Sequence, residues 1–227
     1  MAKDNALNVL MIRYDKAISP IQIPYFRGAV IATIGRDTDI LFHNHKDDEK
    51  YRYSYPLVQY KRMGGKACVV LINDAIAEAG ALLGNMNVNF QIGNTLVNMS
   101  IEKVATETCE IRVTDEWIHY RMQGWLPLNE ENYRCYMQMD GLIERVELLQ
   151  NILVGNIISM CKGLGIMMTD EINVVITSLS TPHSVEHKGV KLLSFDVDFK
   201  SNVSLPNHIG LGKNASLGCG MITNKYN

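Results

Sequence analysis

The order in which strand-like and helix-like segments follow one another limits this chain to few folds. In the first half, apolar and alternating runs predict the order β, α, β, β, α, β, which is typical of a ferredoxin-like unit. The second half repeats that order around a long helix predicted over residues 139–161, with a loop in place of the second helix. We therefore predict an α+β chain of two ferredoxin-like (βαββαβ) domains in tandem, over residues 1–115 and 116–227.

Composition excludes several classes of protein. The chain has 227 residues, of which 47% are hydrophobic and 20% charged, as in ordinary globular proteins. No apolar run reaches the roughly 20 residues that span a bilayer, and the N-terminus lacks the apolar core of a signal peptide, so we expect a cytoplasmic protein without membrane contact. Five scattered cysteines without a C-x-x-C pair indicate neither a zinc site nor a disulfide framework.

A glycine-rich stretch near the C-terminus is the strongest indication of a ligand. Residues 210–220 contain two G-x-G pairs around a polar insert that carries Lys213, and successive backbone N–H groups at such turns form an anion-binding concavity. No acid follows Asp198 although three lysines do, so the tail carries +3 while the rest of the chain carries −2 − 3 = −5. We predict an RNA-backbone site, although a plain flexible turn is the alternative. Its predicted contacts are His208, Gly210, Gly212, Lys213, Asn214, Ser216, Gly218 and Gly220.

A second candidate cluster lies in a polar segment of the first half. His43 and His45 flank one residue, so in an extended segment both imidazoles point to the same side. Histidine titrates near neutrality and can take and give a proton, which suits RNA cleavage through a base for the 2′-hydroxyl and an acid for the leaving 5′-oxygen. The alternatives are surface histidines or half a metal site, and no further ligands at metal-type spacing are evident.

The strand predicted after this segment combines tyrosines with cations. Residues 43–66 contain six Lys or Arg against three acids, which makes the region locally basic. Aromatic rings that alternate with cations can stack on bases and contact phosphates, whereas tyrosines are also ordinary strand formers with one buried face. The candidate residues here are Arg52, Tyr53, Tyr60, Lys61 and Arg62.

Taken together, these motifs resemble those of a known family. The pattern G-x-G-x-x-x-x-x-G-x-G after Asn202-Val203-Ser204-Leu205-Pro206 resembles the CRISPR repeat-processing endoribonucleases of the RAMP superfamily, and in particular their type I-B-like branch. Further matching motifs occur in order along nearly the whole chain. They are Phe26-Arg27-Gly28, His43-Asn44-His45, the run from Tyr53 to Lys61, and Leu153-Val154-Gly155-Asn156-Ile157.

The resemblance implies an enzyme that cleaves precursor CRISPR RNA within its repeats. It implies cleavage without metal or other cofactor, by 2′-hydroxyl attack that leaves a 2′,3′-cyclic phosphate and a 5′-hydroxyl. His43 or His45 would be the general base or acid, Tyr53 or Lys61 would support the scissile phosphate, and Arg27 and the glycine-rich loop would hold RNA. The implied partners are repeat RNA, other subunits of a CRISPR effector complex, and a second copy in a homodimer.

Two other functions fit the same residues. One is a RAMP-type subunit that holds guide RNA in an effector complex without cutting it. The other is a ferredoxin-like protein whose glycine-rich loop binds a nucleotide. Activity in a chelator would distinguish the enzyme from the RNA-holding subunit, and a preference for mononucleotides would favour the third interpretation.

Overall fold

The structure, a computed structural model, describes residues 5–34, 55–84, 87–187 and 189–226. It divides into two compact units. The N-terminal unit comprises Ala6–Cys109 together with Ser216–Gly218. The C-terminal unit comprises Asn5, Glu110–Ala215 and the residues from Cys219 onward. Each unit contains one five-stranded sheet.

The N-terminal unit has the predicted order of elements. Its sheet order is β2-β3-β1-β5-β4, which is the ferredoxin-like order of strands with β4 added at the edge beside β5. The expected second helix is divided between a 3₁₀ segment, Asn73–Glu78, and a short α-helix. The elements are β1 (Ala6–Ala17), α1 (Ile23–Ile34), β2 (Val58–Met63), β3 (Lys66–Ile72), α2 (Ala79–Leu83), β4 (Asn87–Ile92) and β5 (Thr95–Glu110).

Aromatic side chains form the centre of the N-terminal core. Tyr14 of β1 contacts the rings of Phe26 on α1 and Phe90 on β4 edge to face, at centroid distances of 5.7 and 5.3 Å. Phe26 also meets Tyr60 of β2 at 6.1 Å. All four side chains are at most 1% exposed, so α1 is fixed to the sheet by ring packing as well as by area burial.

The C-terminal unit repeats the fold without its second helix. Its sheet order is β10-β6-β9-β7, with β8 paired to the start of β9. The chain between β9 and β10 runs over residues 204–220, which include the glycine-rich stretch and the 3₁₀ turn Ala215–Leu217. The elements are β6 (Val113–Trp125), α3 (Glu130–Gln138), α4 (Leu142–Gly163), β7 (Val174–Leu179), β8 (His183–His187), β9 (Val190–Val203) and β10 (Met221–Asn224).

These two sheet orders confirm the prediction of an α+β chain with two ferredoxin-like units. In the C-terminal unit, α4 buries its apolar stripe, including Leu149, Leu153 and Ile157, all at 0% exposure. Tyr120 of β6 stacks on Phe199 of β9 at 5.3 Å. None of the helices in the described part of the chain has the length and apolarity that crossing a bilayer requires.

Candidate functional site

The glycine-rich segment is a closed turn whose first and last glycines are both hydrogen-bonded or bridged to neighbouring chain at its base. Gly210 forms an isolated β-bridge with Met221, and Leu211 donates its N–H to the Gly220 carbonyl at 2.9 Å. The Gly220 N–H donates to the Gly124 carbonyl at 3.1 Å. The N–H of Gly220 is therefore engaged within the unit, and a contact of Gly220 with RNA stays a prediction that would use other atoms.

Two of the glycines are required by close packing. At Gly212, which has a φ of 80°, a Cβ would lie 2.8 Å from Asn156 Oδ1 and 3.0 Å from Trp125 Nε1. At Gly220, which has a φ of 62°, a Cβ would overlap the Leu211 carbonyl oxygen. Both positions therefore exclude a side chain through space as well as through backbone conformation.

An amide on α4 fixes this turn in place. Asn156 Oδ1 accepts a hydrogen bond from the Trp125 indole N–H at 3.0 Å, and Trp125 is fully buried. Asn156 and Trp125 pack directly against Gly212. Sequence reasoning did not assign either residue a role, although an amide beside Gly155 within an apolar helical stripe is a signal of a polar contact with a neighbouring element.

Lys213 stands at the tip of the turn. Leu211 and Ala215 on either side are buried at 0% and 4% exposure, whereas Lys213 is exposed. Asn214 adopts a left-handed φ of 57°, which Asn tolerates better than most residues and which turns the chain back. Anchoring on both sides reduces the freedom that the lysine would lose on binding an anion, so the tip suits phosphate contact.

The residues Ser216–Gly218 belong to the N-terminal unit. Leu217 packs against the core of that unit. At Gly218, which has a φ of 84°, a Cβ would lie 2.9 Å from Ile23 Cδ1 and 3.5 Å from the Tyr60 carbonyl oxygen. The left-handed backbone conformation, together with this packing, favours glycine here, while Ser216 is half-buried.

His208 lies at the entrance to the glycine-rich segment. Its backbone has a φ of 65°, which is uncommon outside glycine, and its N–H donates to the Ile222 carbonyl at 2.7 Å. The side chain is half-buried. The backbone of His208 thus helps to fix the start of the turn.

Strand β2 differs most from the prediction. Tyr60 and Lys61 are 1% and 0% exposed, so neither lies on the surface where the sequence analysis expected base stacking and phosphate contact. Tyr60 is a core ring, and the opposite side of β2 is buried as well, since Gln59 is also 0% exposed. Arg62 is exposed, and its Nε donates to the Ile18 carbonyl at 2.8 Å.

Of the remaining candidate residues, one lies on α1 and the others lie outside the described residues. Arg27 is half-buried on α1. The candidate catalytic residues His43, His45 and Tyr53, together with Arg52, lie outside the described residues. Of the predicted site residues, Lys213 and Asn214 lie next to each other on the anchored turn.

Comparison with known proteins identifies the family. The model of the Cas6b N-terminal domain matches residues 5–110, and the model of the Cas6b C-terminal domain matches residues 112–225. The chain belongs to the Cas6b family. The two matches meet at the break between β5 and β6, where the structure also divides into units.

Solved structures agree with this Cas6b assignment. A crystal structure of Cas6b is 26% identical, with a TM-score of 0.84 over 96% of this chain and 99% of that chain. A second, described as the CRISPR RNA processing endoribonuclease Cas6b, is 23% identical with a TM-score of 0.73 over 96% and 99% of the two chains, which shows the same fold. An uncharacterized protein of Methanocaldococcus jannaschii is 34% identical over 114 residues, covering 50% of this chain and 76% of that protein.

The Cas6b assignment covers both structural units with the two domains of one family. Both family domains are present in order, so the ferredoxin-like units are not an accidental similarity of small α+β folds. It does not by itself assign a role to any one side chain, since a shared fold supports many different sites.

Proposed function

We propose that this Cas6b-family chain is a metal-independent endoribonuclease that cuts precursor CRISPR RNA within its repeats. The observation that carries the proposal is the match to both Cas6b domains over residues 5–110 and 112–225. The solved relative described as a CRISPR RNA processing endoribonuclease has the same fold over nearly the whole chain. We place its action in the cytoplasm, with repeat RNA as the partner.

The proposed reaction is an internal transfer at phosphorus. A base takes the proton of the 2′-hydroxyl, whose oxygen then bonds to the adjacent phosphorus. The bond from phosphorus to the 5′-oxygen breaks with its electron pair, and an acid protonates that oxygen. The products are a 2′,3′-cyclic phosphate and a 5′-hydroxyl, and neither a metal nor a water molecule is consumed. Such acid–base assistance contributes about 10²- to 10⁴-fold in rate.

We assign the proton transfers to His43 and His45, with Tyr53 beside the scissile phosphate. Lys61 is left out of this set because it is fully buried. The division of labour follows the proposed domains, with catalysis in residues 1–115 and RNA retention in residues 116–227. Retention is assigned to the anchored tip, where exposed Lys213 and neighbouring Asn214 can reach a phosphate.

The deciding experiment uses a labelled repeat RNA in excess EDTA, beside the same RNA with a 2′-deoxy substitution at the cut site. We expect one cut that persists in EDTA and disappears with the deoxy substitution. His43→Ala and His45→Ala should each lower the single-turnover rate about 10²- to 10⁴-fold. His183→Ala on β8, an exposed histidine in the C-terminal unit, is the matched control and should cut normally.

The alternatives give different results in the same assay. Binding without any cut would instead support a guide-holding RAMP-type subunit. A cut that is abolished by EDTA, or that is unchanged in both histidine variants, would contradict the proposed chemistry. Preference for a mononucleotide over RNA would support the nucleotide-binding alternative.

A further inference from the structure

The C-terminal sheet has an open face that the proposed chemistry does not use. On β6 the side chains of Trp117, His119 and Arg121 alternate with buried Tyr120 and Met122, so they project to the opposite side of the sheet from the core. The pairing of β6 with β9 sets His119 opposite Lys200 and Arg121 opposite Asp198. This face therefore carries a row of aromatic and cationic groups on neighbouring strands.

Two aromatic side chains on this face are exposed and held by neighbours. The Lys200 ammonium lies 4.9 Å from the Trp117 ring centroid, and Trp117 remains 45% exposed. Tyr226, which follows β10, meets His119 edge to face at 5.3 Å and remains 77% exposed. The N–H of Lys225 donates to the His119 carbonyl at 3.0 Å, which fixes the backbone next to Tyr226.

The charge of this face is positive although the chain is acidic. Asp198 is shared by Lys225, at 2.9 Å, and Arg121, at 4.0 Å. With Lys200, the group contains three cations. Asp196, the next carboxylate along β9, lies on the same face as Asp198 and accepts the Gly124 N–H at 2.8 Å, so these five groups balance to 3 − 2 = +1 in a chain of net charge −2. Cations that can contact phosphate therefore lie beside both exposed rings.

We propose that this open-face cluster, formed by Trp117, His119, Arg121, Lys200, Lys225 and Tyr226, binds unpaired nucleotides of the RNA substrate. The proposal rests on the proposed function, which supplies RNA as the substrate. Exposed rings on a four-stranded antiparallel sheet stack on two or three bases, and nearby cations contact the phosphates between them. Stacking requires accessible base faces, so the ligand is single-stranded RNA rather than a duplex.

The distance from the cluster to the base of the glycine-rich turn follows from strand pairing. Gln123 of β6 pairs with Met221, the residue directly after that turn, while Trp117 lies six residues earlier on β6. At about 3.4 Å per residue, Trp117 lies roughly 20 Å along β6 from that point. The open-face cluster is therefore a contact separate from the one proposed at Lys213.

The test measures binding of the full chain to an uncleavable fluorescent repeat RNA, by anisotropy. Trp117→Ala and Tyr226→Ala should each weaken binding about 5- to 100-fold, from the loss of one stacked base. Trp117→Phe should stay within about twofold of the wild type. Tyr133→Ala is the matched control, because Tyr133 is a similarly exposed aromatic residue on α3 at 43% exposure.

Tryptophan fluorescence supplies a second readout. The chain has only two tryptophans, and Trp125 is fully buried with its indole N–H bonded to Asn156. RNA should therefore quench the emission of Trp117 in the wild type, and the quenching should be lost in Trp117→Phe although binding persists. This readout remains informative even where an alanine variant folds poorly.

The outcomes separate this proposal from the proposed function. If the wild type cuts repeat RNA while Trp117→Ala and Tyr226→Ala bind it normally, the open-face proposal is overturned and the enzyme assignment stands. Such a result would make a protein partner, rather than RNA, the remaining candidate ligand of this face. If the wild type binds without cutting and both variants bind weakly, the open face stands and the proposed cleavage fails. Equal affinity for duplex and single-stranded RNA would also overturn stacking.

Discussion

At the scale of single residues, two buried tyrosines have opposite hydrogen-bond surroundings. The Tyr120 hydroxyl donates to the Val203 carbonyl at 3.0 Å and accepts the Leu205 N–H at 2.8 Å. The Tyr14 hydroxyl is buried without a hydrogen-bond partner among the described residues. The first hydroxyl completes the C-terminal core, while the second carries a desolvation penalty that the surrounding rings do not offset.

We expect opposite effects from removing these two hydroxyls. Tyr14→Phe should leave the free energy of unfolding unchanged or raise it by about 1 kcal/mol, because no hydrogen bond is lost. Tyr120→Phe, the matched control, should lower it by about 1–3 kcal/mol, since a buried N–H and carbonyl lose their partner. Urea unfolding at neutral pH measures both. A destabilised Tyr14→Phe protein would mean that its hydroxyl has a partner, such as a buried water.

Individual residues also show which parts of the site could be predicted from the sequence and which could not. Lys213 is exposed at the tip, as expected from a polar insert between glycines. Tyr60 and Lys61 are buried because both sides of β2 are covered, and an alternating pattern assumes that one side faces water. The pair Trp125 and Asn156, which are 31 positions apart, meets only through the packing of α4 on the sheet, so spacing alone could not indicate the contact.

At the scale of elements, local pattern predicted most of the secondary structure. The predicted helix over 139–161 is observed as Leu142–Gly163, and the expected turn at 63–66 has both Gly64 and Gly65 at positive φ. The sequence analysis missed β8, a five-residue strand whose only described sheet partner is the start of β9. Its polar composition, with histidines at both ends, lacks the apolar alternation that marks a strand.

The packing of the glycine-rich turn leads to a prediction about protein stability. Gly220→Ala should lower the free energy of unfolding by about 3 kcal/mol or more, because a Cβ there overlaps the Leu211 carbonyl oxygen at a positive φ. Gly93→Ala is the matched control, with a φ of 61° and nothing within 4 Å of the added Cβ, and should lose only about 1 kcal/mol.

Urea midpoints at an unchanged slope would measure the difference between these variants. Equal losses at the two positions would show that conformation alone, rather than contact with Leu211, requires glycine at Gly220. The comparison thus distinguishes a turn that needs glycine only for its backbone conformation from one that also needs it because a side chain would collide with Leu211.

At the scale of the whole molecule, both units contain thiols that burial keeps protonated. Burial raises the pKa of Cys68 from 9.0 to about 12 and that of Cys161 from 9.0 to about 11, and it raises the pKa of Tyr14 from 10.0 to about 12. Above pH 9 the unfolded chain loses protons that the folded chain retains. The free energy of unfolding must therefore fall as pH rises through this range.

We expect this fall to begin near pH 9 and to continue to about pH 12, at up to about 1.4 kcal/mol per pH unit for each group. Cys68→Ala should reduce the slope, whatever its effect on stability at neutral pH. Cys135→Ala is the control, because Cys135 is exposed. Urea unfolding in reducing buffer at several pH values gives the slope. An identical slope in the Cys68 variant would contradict this account.

Because Ser216–Gly218 belong to the N-terminal unit, that unit depends on residues that the ribosome adds near the end of synthesis. When Cys109 is added to the growing chain, the N-terminal core still lacks Leu217, which is added 217 − 109 = 108 residues later. At about 5–20 residues per second, that delay is roughly 5 to 20 seconds. The first unit therefore cannot finish packing before all of the second except its last strand, β10, has been made. A chain that stops before Ser216 would leave a gap in a core more than a hundred residues upstream, which exposes interrupted products to proteolysis.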